Sequence, residues 1–393
     1  MNKGVIIKDV LIVGAGASGL MCAIEAGKRG RSVLVIDHNE KIAKKIRISG
    51  GGRCNFTNVQ TDAGHYISAN PHFCKSALAR FRPEDITAML ERYNIEYSER
   101  EKGQLFCTGS SAEIVSMLDA ECRMAGAEIM LNCRISEITK AGRFFANTSA
   151  GRIESGSLVI ATGGLSYPER GATDIGYRLA KEFGLRVTPL RPALVPLVYG
   201  HYEKLKLAEL SGVSLDSIVK LKKISFRGDL LFTHRGLSGP AALQISSYWN
   251  KGDRISINLL PDSDALGMLI SKHQSRTELP NLLAEYLPRR LSRKWCGLYA
   301  SSRPLCTYTE KELRKIAADL HDWKLLPETT EGYKKAEITA GGVDTKEISS
   351  RTMETAKVPG LYFIGEVLDV AGHLGGYNLH WAWASGFTAG QYA

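Results

Sequence analysis

Residues 9–37 read DVLIVGAGASGLMCAIEAGKRGRSVLVID. An apolar run, 10–13, meets a G-x-G-x-x-G pattern, a helix-compatible stretch follows, and a second apolar run ends at Asp37. Asp37 lies 18 residues after Gly19, close to the spacing of about 20 that a dinucleotide-binding fingerprint requires. The order of strand, glycine turn, helix, strand and acid therefore predicts a dinucleotide-binding fold.

Each residue of this fingerprint has a physical task. We expect Gly14 to allow the tight turn, Gly16 to let a pyrophosphate approach the backbone, and Gly19 to bring the helix close to the sheet. The helix start, which includes Ser18, offers unpaired N–H groups and the positive end of a dipole to phosphates. Asp37 would accept hydrogen bonds from ribose hydroxyls. A glycine turn without a ligand would leave Asp37 unexplained.

A second glycine loop follows at once. Residues 42–58 read IAKKIRISGGGRCNFTN, in which basic residues precede three glycines and several small polar residues. Such a loop can hold bare N–H groups against a flat polar ring, which favours a flavin over a nicotinamide. We expect Cys54 to pack in this loop rather than act as a nucleophile, and Arg53 to contact the cofactor or else a carboxylate. The candidate cofactor contacts here are Lys45, Ser49, Gly51, Gly52, Arg53, Cys54 and Asn55.

Composition is that of an ordinary globular protein. The 393 residues are 44% hydrophobic and 23% charged, with a net charge of +10. We interpret the charge as a solvated basic surface and expect neither a nucleic-acid nor a membrane partner. Basic clusters such as Arg289–Arg290 and Lys222–Lys223 leave RNA binding as an alternative. The eight cysteines form no C-x-x-C pair, so we expect no metal site and a reducing, cytoplasmic location.

The pattern of apolar and polar residues changes near residue 191. Prolines mark a boundary there, short alternating runs suggest strands up to about 260, and helical spacing follows. We expect an α/β fold with a Rossmann-type cofactor domain that is split in sequence. The predicted domains are 1–190 and 335–393 for the cofactor domain, 191–262 for an inserted β-rich substrate or lid domain, and 263–334 for a small helical domain. Predicted helices there are 264–273, 279–291 and 309–324.

Longer segments carry a resemblance to a known family. Residues 161–177 read ATGGLSYPERGATDIGY, 232–246 read FTHRGLSGPAALQIS, and 338–386 include ITAGG, GLYFIGEVLDV and AGHLGGYNLH. Together with the two glycine loops, these segments resemble the bacterial FAD-dependent oxidoreductases that include aminoacetone oxidases and bile-acid enone reductases. The chain departs from that pattern at Cys107, at Asp174-Ile175-Gly176, and at His380, where the family usually has Gln.

The resemblance implies further cofactor contacts. The acid after strand 361–364, Glu366, would bind the ribityl chain, and Ile135 would meet the adenine through its backbone. The start of helix 378–391 would point its N–H groups at the N1 and C2 carbonyl edge of the flavin, where they would favour the reduced anion. The remaining contacts expected from the resemblance are Ala161, Thr162, Gly163, Gly365, Gly375, Gly376, Tyr377 and Asn378.

The chemistry is expected to come from FAD, with the protein supplying orientation and electrostatics. The polar groups best suited to reach a flavin face are His234, His373, Tyr377 and His380. We predict hydride transfer between a small organic substrate and flavin N5, with amine oxidation by O2 as one version and NAD(P)H-dependent reduction of an enone as the alternative. A single fingerprint means that NAD(P)H would bind only transiently. A flavin-containing RNA-modifying protein is the alternative from another class; the sequence leaves the substrate and oligomeric state open.

Overall fold

The computed structural model describes residues 5–393. Its helices are α1 (Ala17–Lys28), α2 (Lys44–Ile48), α3 (Lys75–Arg80), α4 (Pro83–Arg92), α5 (Ser111–Met124), α6 (Ile175–Glu182), α7 (His201–Leu207), α8 (Gly239–Ser246), α9 (Ala265–Ser271), α10 (Leu279–Leu283), α11 (Arg289–Tyr299), α12 (Glu310–His321) and α13 (Tyr377–Gly390).

Twenty-one strands accompany these helices in the described residues. They are β1 (Ile6–Val13), β2 (Val33–Ile36), β3 (Asn55–Asn58), β4 (Tyr66–Ile67), β5 (Tyr97–Glu99), β6 (Gln104–Cys107), β7 (Glu128–Met130), β8 (Ile135–Ala141), β9 (Arg143–Thr148), β10 (Gly151–Ile160), β11 (Arg191–Ala193), β12 (Leu197–Tyr199), β13 (Ser214–Leu221), β14 (Ile224–Phe232), β15 (Gly236–Ser238), β16 (Ile255–Asn258), β17 (Trp323–Leu325), β18 (Pro327–Thr330), β19 (Ile338–Ala340), β20 (Leu361–Phe363) and β21 (Ala371–Gly372).

The chain divides into two compact units. One combines residues 1–191 with 338–393, and the other, which we call the inserted unit, is residues 192–337. The first unit is built on a seven-stranded sheet in the order β7-β2-β1-β10-β9-β8, with β20 also paired to β10. Strands β1, β2, β7, β10 and β20 run parallel, which confirms the predicted Rossmann-type α/β fold.

Buried apolar runs explain the parallel core of this sheet. All four residues of β2 are buried, as are the last four of β1, as is typical of parallel strands in the interior of an α/β fold. The long helix α13 packs along α1 at unusually short range: a Cβ at Gly386 would lie 2.4 Å from the Ser18 carbonyl oxygen, and one at Gly390 would lie 2.8 Å from that of Cys22. The last helix of the chain is thus fitted to the helix of the fingerprint.

The inserted unit has one core of its own. A sheet in the order β17-β16-β13-β14-β15-β12-β18 shares a single cluster of buried residues with helices α8 to α12, including Phe232, Leu269, Trp295 and Trp323. The β-rich segment 191–262 and the helical segment 263–334, which the sequence suggested as separate domains, therefore contribute to the same core.

Two helices of the inserted unit differ from their sequence-based predictions. The predicted helix 279–291 is two helices: α10 ends at Leu283, and α11 begins at Arg289 after Pro288, whose backbone (φ −51°, ψ 131°) is not helical. The predicted helix 309–324 ends at His321, and Trp323–Leu325 instead pairs with β16. Capping boxes begin two of the helices, with Ser110 and Glu113 at the start of α5 and Thr309 and Glu312 at the start of α12.

Candidate functional site

The first unit gathers its glycine turns at one edge of the sheet. The carboxyl ends of β1, β2, β10 and β20 meet there because these strands are parallel, and ligands of open α/β sheets bind at this edge. Backbone hydrogen bonds lock the turns together: the amide of Gly14 donates to Ile36 O (2.8 Å), and that of Ala161 donates to Val13 O (2.8 Å).

The glycines of the fingerprint fall into two kinds. Gly14 has φ +114°, and a Cβ there would lie 2.4 Å from the Ala161 oxygen; a Cβ at Gly19 would lie 2.0 Å from the oxygen of Gly14. A Cβ at Gly16, by contrast, would meet nothing within 4 Å, and no side chain caps the first turn of α1. The turn therefore presents bare backbone and helix N–H groups towards open space, as a pyrophosphate site requires.

Asp37 ends β2 beside this turn. Its Oδ2 accepts from the amide of Ala15 (2.8 Å), and its Oδ1 accepts from the amide of Asn39 (2.8 Å). The Asp37 carbonyl accepts from the amide of Cys133 (2.9 Å), so the chain entering β8 at Ile135 runs past the end of β2. The structure thus brings the predicted ribose and adenine contacts to the same edge as the fingerprint.

The second glycine loop is held in left-handed backbone. Gly50, Gly51 and Gly52 have φ values of +56°, +67° and +88°, and a Cβ at Gly51 or Gly52 would meet nothing within 4 Å. Ser49 Oγ donates to Ile46 O (2.8 Å) at the start of the loop. The Arg53 side chain is exposed and makes no ion pair with any residue of 5–393. The loop therefore offers open backbone and one available cation.

Cys54 follows the loop and faces inward. It is fully buried, and burial raises the pKa of its thiol to about 12. A thiol with this pKa stays protonated at neutral pH, and it is the thiolate that reacts. Its placement agrees with the packing role expected from the sequence.

Lys45 and Glu366 form an ion pair that the sequence did not suggest. Lys45 Nζ lies 2.7 Å from Glu366 Oε2, and Glu366 Oε1 accepts from the amide of Thr339 (2.9 Å). Thr339 Oγ1 in turn accepts from the amide of Leu165 (2.8 Å), and a Cβ at Gly164 would lie 2.5 Å from Glu366 Oε1. Sequence reasoning did not identify Thr339 as part of the site. The available signal was the run of small residues in ITAGG (338–342), to which Thr339 belongs. One network thus links strand β19 with the loops after β10 and β20.

The loop after β10 adds further open backbone. Gly163 has φ +72°, and a Cβ there would meet nothing within 4 Å. Thr162 Oγ1 is buried without a hydrogen-bond partner in the described residues. A Cβ at Gly176 would lie 2.1 Å from that oxygen, so the start of α6 is packed directly against the loop.

The C-terminal turns dock on the first half of the site. The amide of Gly365 donates to Ser385 Oγ (3.0 Å). Asn378 Oδ1 accepts from the amide of Gly372 (2.7 Å), and its Nδ2 donates to Gly372 O (2.9 Å). With its amide oriented to match its neighbours, Asn55 Oδ1 accepts from the amide of Gly376 (3.0 Å). Asn55 and Asn378 thus hold the glycine turn between them.

An aromatic group surrounds the start of α13. The ring of His65 stacks on Tyr377 with centroids 4.5 Å apart, and His373 meets both rings edge-on. Burial, then the neighbouring His65, lowers the pKa of His373 to about 4, and burial raises the pKa of Tyr377 to about 12. Both side chains are therefore uncharged at neutral pH. His65 was missed because no motif surrounds it.

The other two catalytic candidates differ in burial. His380 is fully buried, with Nδ1 2.8 Å from Thr57 Oγ1 and Nε2 3.1 Å from Phe81 O. Burial lowers its pKa to about 4. Both nitrogens are engaged inside the core, so this side chain supports β3 and does not face a substrate. His234 is exposed on a turn of the inserted unit.

The residues present fit FAD. An open glycine turn with uncapped helix N–H groups suits the pyrophosphate, a carboxylate beside it suits the ribose, and a second open glycine loop suits the flavin ring. Within residues 5–393, no group of three or more His, Cys, Asp or Glu is arranged to hold a metal ion. No helix of that range combines the length and apolar character needed to cross a bilayer.

Comparison with known proteins gives full-length relatives. The chain is 46% identical over 388 residues to the ribosomal RNA dihydrouridine synthase of Escherichia coli (strain K12), covering 98% of this chain and 97% of the relative. It is 44% identical to the protein of the same name from Haemophilus influenzae, covering 96% of each. A 3-dehydro-bile acid delta(4,6)-reductase of Clostridium scindens is 28% identical over 97% of this chain and 98% of the relative.

Solved structures share the fold at low identity. A quinol-fumarate reductase with menaquinol molecules is similar with a TM-score of 0.51 and 16% identity, over 99% of this chain and 71% of that one. The sequence itself matches the family described as HI0933-like protein Rossmann domain over residues 8–392. The chain therefore belongs to the HI0933-like Rossmann-domain family and is an FAD-dependent oxidoreductase.

Proposed function

We propose that this protein reduces the C5–C6 double bond of uridine in ribosomal RNA. The observation that carries the proposal is the pair of relatives with that name, at 46% and 44% identity along nearly the whole chain. The sequence alone favoured a small-molecule substrate and kept RNA as the alternative, and these relatives favour the alternative.

The reaction class also accommodates the more distant relative. The uracil C5–C6 bond is conjugated to the C4 carbonyl, so uridine presents the same unsaturated carbonyl unit as an enone. The name of the bile-acid relative likewise denotes reduction of ring double bonds in a 3-oxo compound. In both cases a hydride adds to the carbon remote from the carbonyl, and a proton adds to the carbon beside it.

The reductant is part of the proposal. When bound, FAD supplies the hydride, which we propose it receives from NAD(P)H. One nicotinamide is then oxidised, and one proton is taken up, for each double bond reduced. The open glycine loop 50–52 and the Lys45–Glu366 pair would hold and orient the cofactor.

The proton requires a donor from the protein, and we propose Tyr377. It begins α13 directly after the glycine turn that docks on the second glycine loop, and its raised pKa of about 12 keeps the phenolic proton in place until an enolate forms. His373 is unsuitable as an acid because its pKa of about 4 leaves it unprotonated at neutral pH. Replacing Tyr377 by Phe should therefore slow reduction of the double bond while leaving flavin reduction by NAD(P)H unchanged.

Two half-reactions test this proposal separately. We expect NADH or NADPH to bleach the bound flavin without oxygen, and unmodified ribosomal RNA transcripts to restore its colour. Primary amines would be the better reductants if the protein were an amine oxidase. The second candidate function is the reduction of a small-molecule enone, which the bile-acid relative supports. It would be favoured if a small steroid enone reoxidised the flavin and RNA did not.

A further inference from the structure

We propose that the inserted unit carries a binding surface for single-stranded RNA, centred on a cationic cleft. The idea rests on the proposed function, because an enzyme that reduces uridine in ribosomal RNA must hold its substrate by more than one base. The surface is formed by α7, α11 and the strand ends at Arg254 and Lys324.

Charge is concentrated in this unit. Residues 192–337 carry 22 Lys and Arg against 16 Asp and Glu, a net charge of +6, whereas the larger cofactor unit carries 29 against 25, a net charge of +4. The phosphate backbone dominates the affinity of proteins for nucleic acid. The smaller unit therefore carries the higher density of net positive charge, which favours a phosphate backbone.

The cleft has a volume of about 210 Å³. Lys206, Arg254 and Lys324 line it against a single carboxylate, that of Glu203, and Tyr299 and Leu326 add apolar surface. Arg254 is exposed and forms no ion pair within the described part of the chain. Lys324 is paired with Asp322 at 2.6 Å, but both side chains are more than half exposed, so this pair contributes little and can rearrange towards a phosphate.

Aromatic rings stand beside the cations. Among the residues from 5 to 393, the tyrosines that are exposed large hydrophobic residues are Tyr202, Tyr286 and Tyr299, and all belong to the inserted unit. Tyr202 is 65% exposed, with Lys206 Nζ 3.8 Å from its ring centroid. Unstacked bases bind to such rings, and each stacked base adds substantial affinity.

Helix α11 extends the cationic surface. Arg290 donates to the carbonyl oxygen of Ser211 (3.2 Å), which fixes α11 beside the segment that follows α7. Arg289 and Arg293 on the same helix are exposed and form no ion pair within residues 5–393. A strand of RNA that stacks on Tyr202 of α7 or on Tyr299 of α11 would thus meet cations carried by the same two helices.

The combination favours single-stranded RNA over a duplex. A duplex offers phosphates and 2′-hydroxyls but hides its bases, so exposed rings in a cleft would gain nothing from it. Single strands bind to cationic grooves in which aromatic side chains stack on successive bases.

The test uses the full-length FAD-loaded protein and a uridine-rich single-stranded RNA oligonucleotide. The variant Lys206→Gln/Arg254→Gln/Lys324→Gln is compared with Lys272→Gln/Lys311→Gln/Lys315→Gln, which removes equal charge from exposed positions at the end of α9 and on α12. We expect the cleft variant to bind at least ~10-fold more weakly at about 50 mM salt, and its slope of log affinity against log salt to shrink by about 2. The control should resemble wild type.

A second pair of variants tests stacking. Tyr202→Ala should weaken binding about 10-fold, and Tyr202→Phe should retain it. The surface is refuted if the two triple variants lose affinity equally, if a hairpin duplex binds as tightly as the single strand, or if polyglutamate competes as well as RNA.

Formation of dihydrouridine is measured in the same samples to separate the two proposals. If neither the wild type nor any variant makes dihydrouridine, but only the cleft variant of the two triple variants loses RNA affinity, the proposed function fails and the surface stands. If all variants bind RNA equally and wild type makes dihydrouridine, the surface fails and the function stands.

Discussion

The two halves of the FAD site use glycine for different reasons. In the first half, formed by the two glycine loops within residues 9–58, a Cβ at Gly16, Gly51 or Gly52 would meet nothing within 4 Å. In the second half, a Cβ at Gly365 would lie 2.6 Å from Ser18 Oγ, and one at Gly376 would lie 2.3 Å from Thr57 O. The three open glycines of the first half keep the backbone bare for the cofactor, whereas Gly14 and Gly19 of the same half are needed for close packing. The glycines of the second half are all of the packing kind, because they let it dock on the first half.

The largest effect is expected where docking is closest. Gly376→Ala would place a Cβ against the Thr57 carbonyl, in backbone with φ +95°, so α13 must move away from β3. We expect the free energy of unfolding of the apoprotein to fall by about 3 kcal/mol. Denaturant titration measures it; a loss below about 1 kcal/mol would show that docking does not depend on this contact.

Acid should loosen the same half of the site. Burial lowers the pKa of His380 to about 4, whereas in the unfolded chain it is near ~6.5. Between these pH values His380 is protonated in the unfolded chain but stays neutral in the folded protein. Stability is therefore full above about pH 6.5 and falls as the pH is lowered towards 4, by on the order of 2–3 kcal/mol.

Unfolding titrations of His380→Gln across this pH range provide the measurement. Glutamine can replace both hydrogen bonds without titrating, so the variant should lose less stability in acid than wild type. His234→Gln, at an exposed position, is the matched control and should follow wild type. Equal acid sensitivity of all three proteins would exclude His380 as the cause.

The first half should respond in ligand affinity rather than in folding. Gly16→Ala meets open space, so the stability of the apoprotein should stay within about 0.5 kcal/mol of wild type. The added methyl group would keep the pyrophosphate away from the backbone, and we expect the Kd for FAD to rise about 10-fold. Titration of apoprotein with FAD, followed by flavin fluorescence, measures the change. Unchanged affinity would remove Gly16 from the site.

The smallest effect is expected in the second glycine loop. Gly51 has φ +67° and no close neighbour, so Ala there suffers only the left-handed backbone, about 1 kcal/mol. Asn tolerates this conformation better, so Gly51→Asn should lose less stability than Gly51→Ala. Thermal unfolding of the two apoproteins distinguishes them. If Ala and Asn behave alike, backbone strain is not what requires glycine here.

Local spacing made the first half of the site predictable. The fingerprint needs only a strand, a turn and a helix in order, so Gly14 to Asp37 could be read from 29 consecutive residues. Thr339, which binds Glu366, and His65, which stacks on Tyr377, were missed because tertiary packing alone brings them there. A sequence does not show whether a histidine faces a cleft or the core, which is why His380 was a candidate although it is fully buried. Periodicity alone would continue one helix through 279–291, yet α10 ends at Leu283 and α11 begins only after Pro288.

The central proposal is that this flavoprotein reduces uridine in ribosomal RNA. Its most direct test is to incubate the FAD-loaded protein and NADPH with unmodified ribosomal RNA transcripts, then measure nucleosides by mass spectrometry after complete digestion. We predict that dihydrouridine appears with wild type, is strongly reduced with Tyr377→Phe, and is absent without reductant. Oxidation of NADPH with no dihydrouridine in any transcript would contradict the proposal.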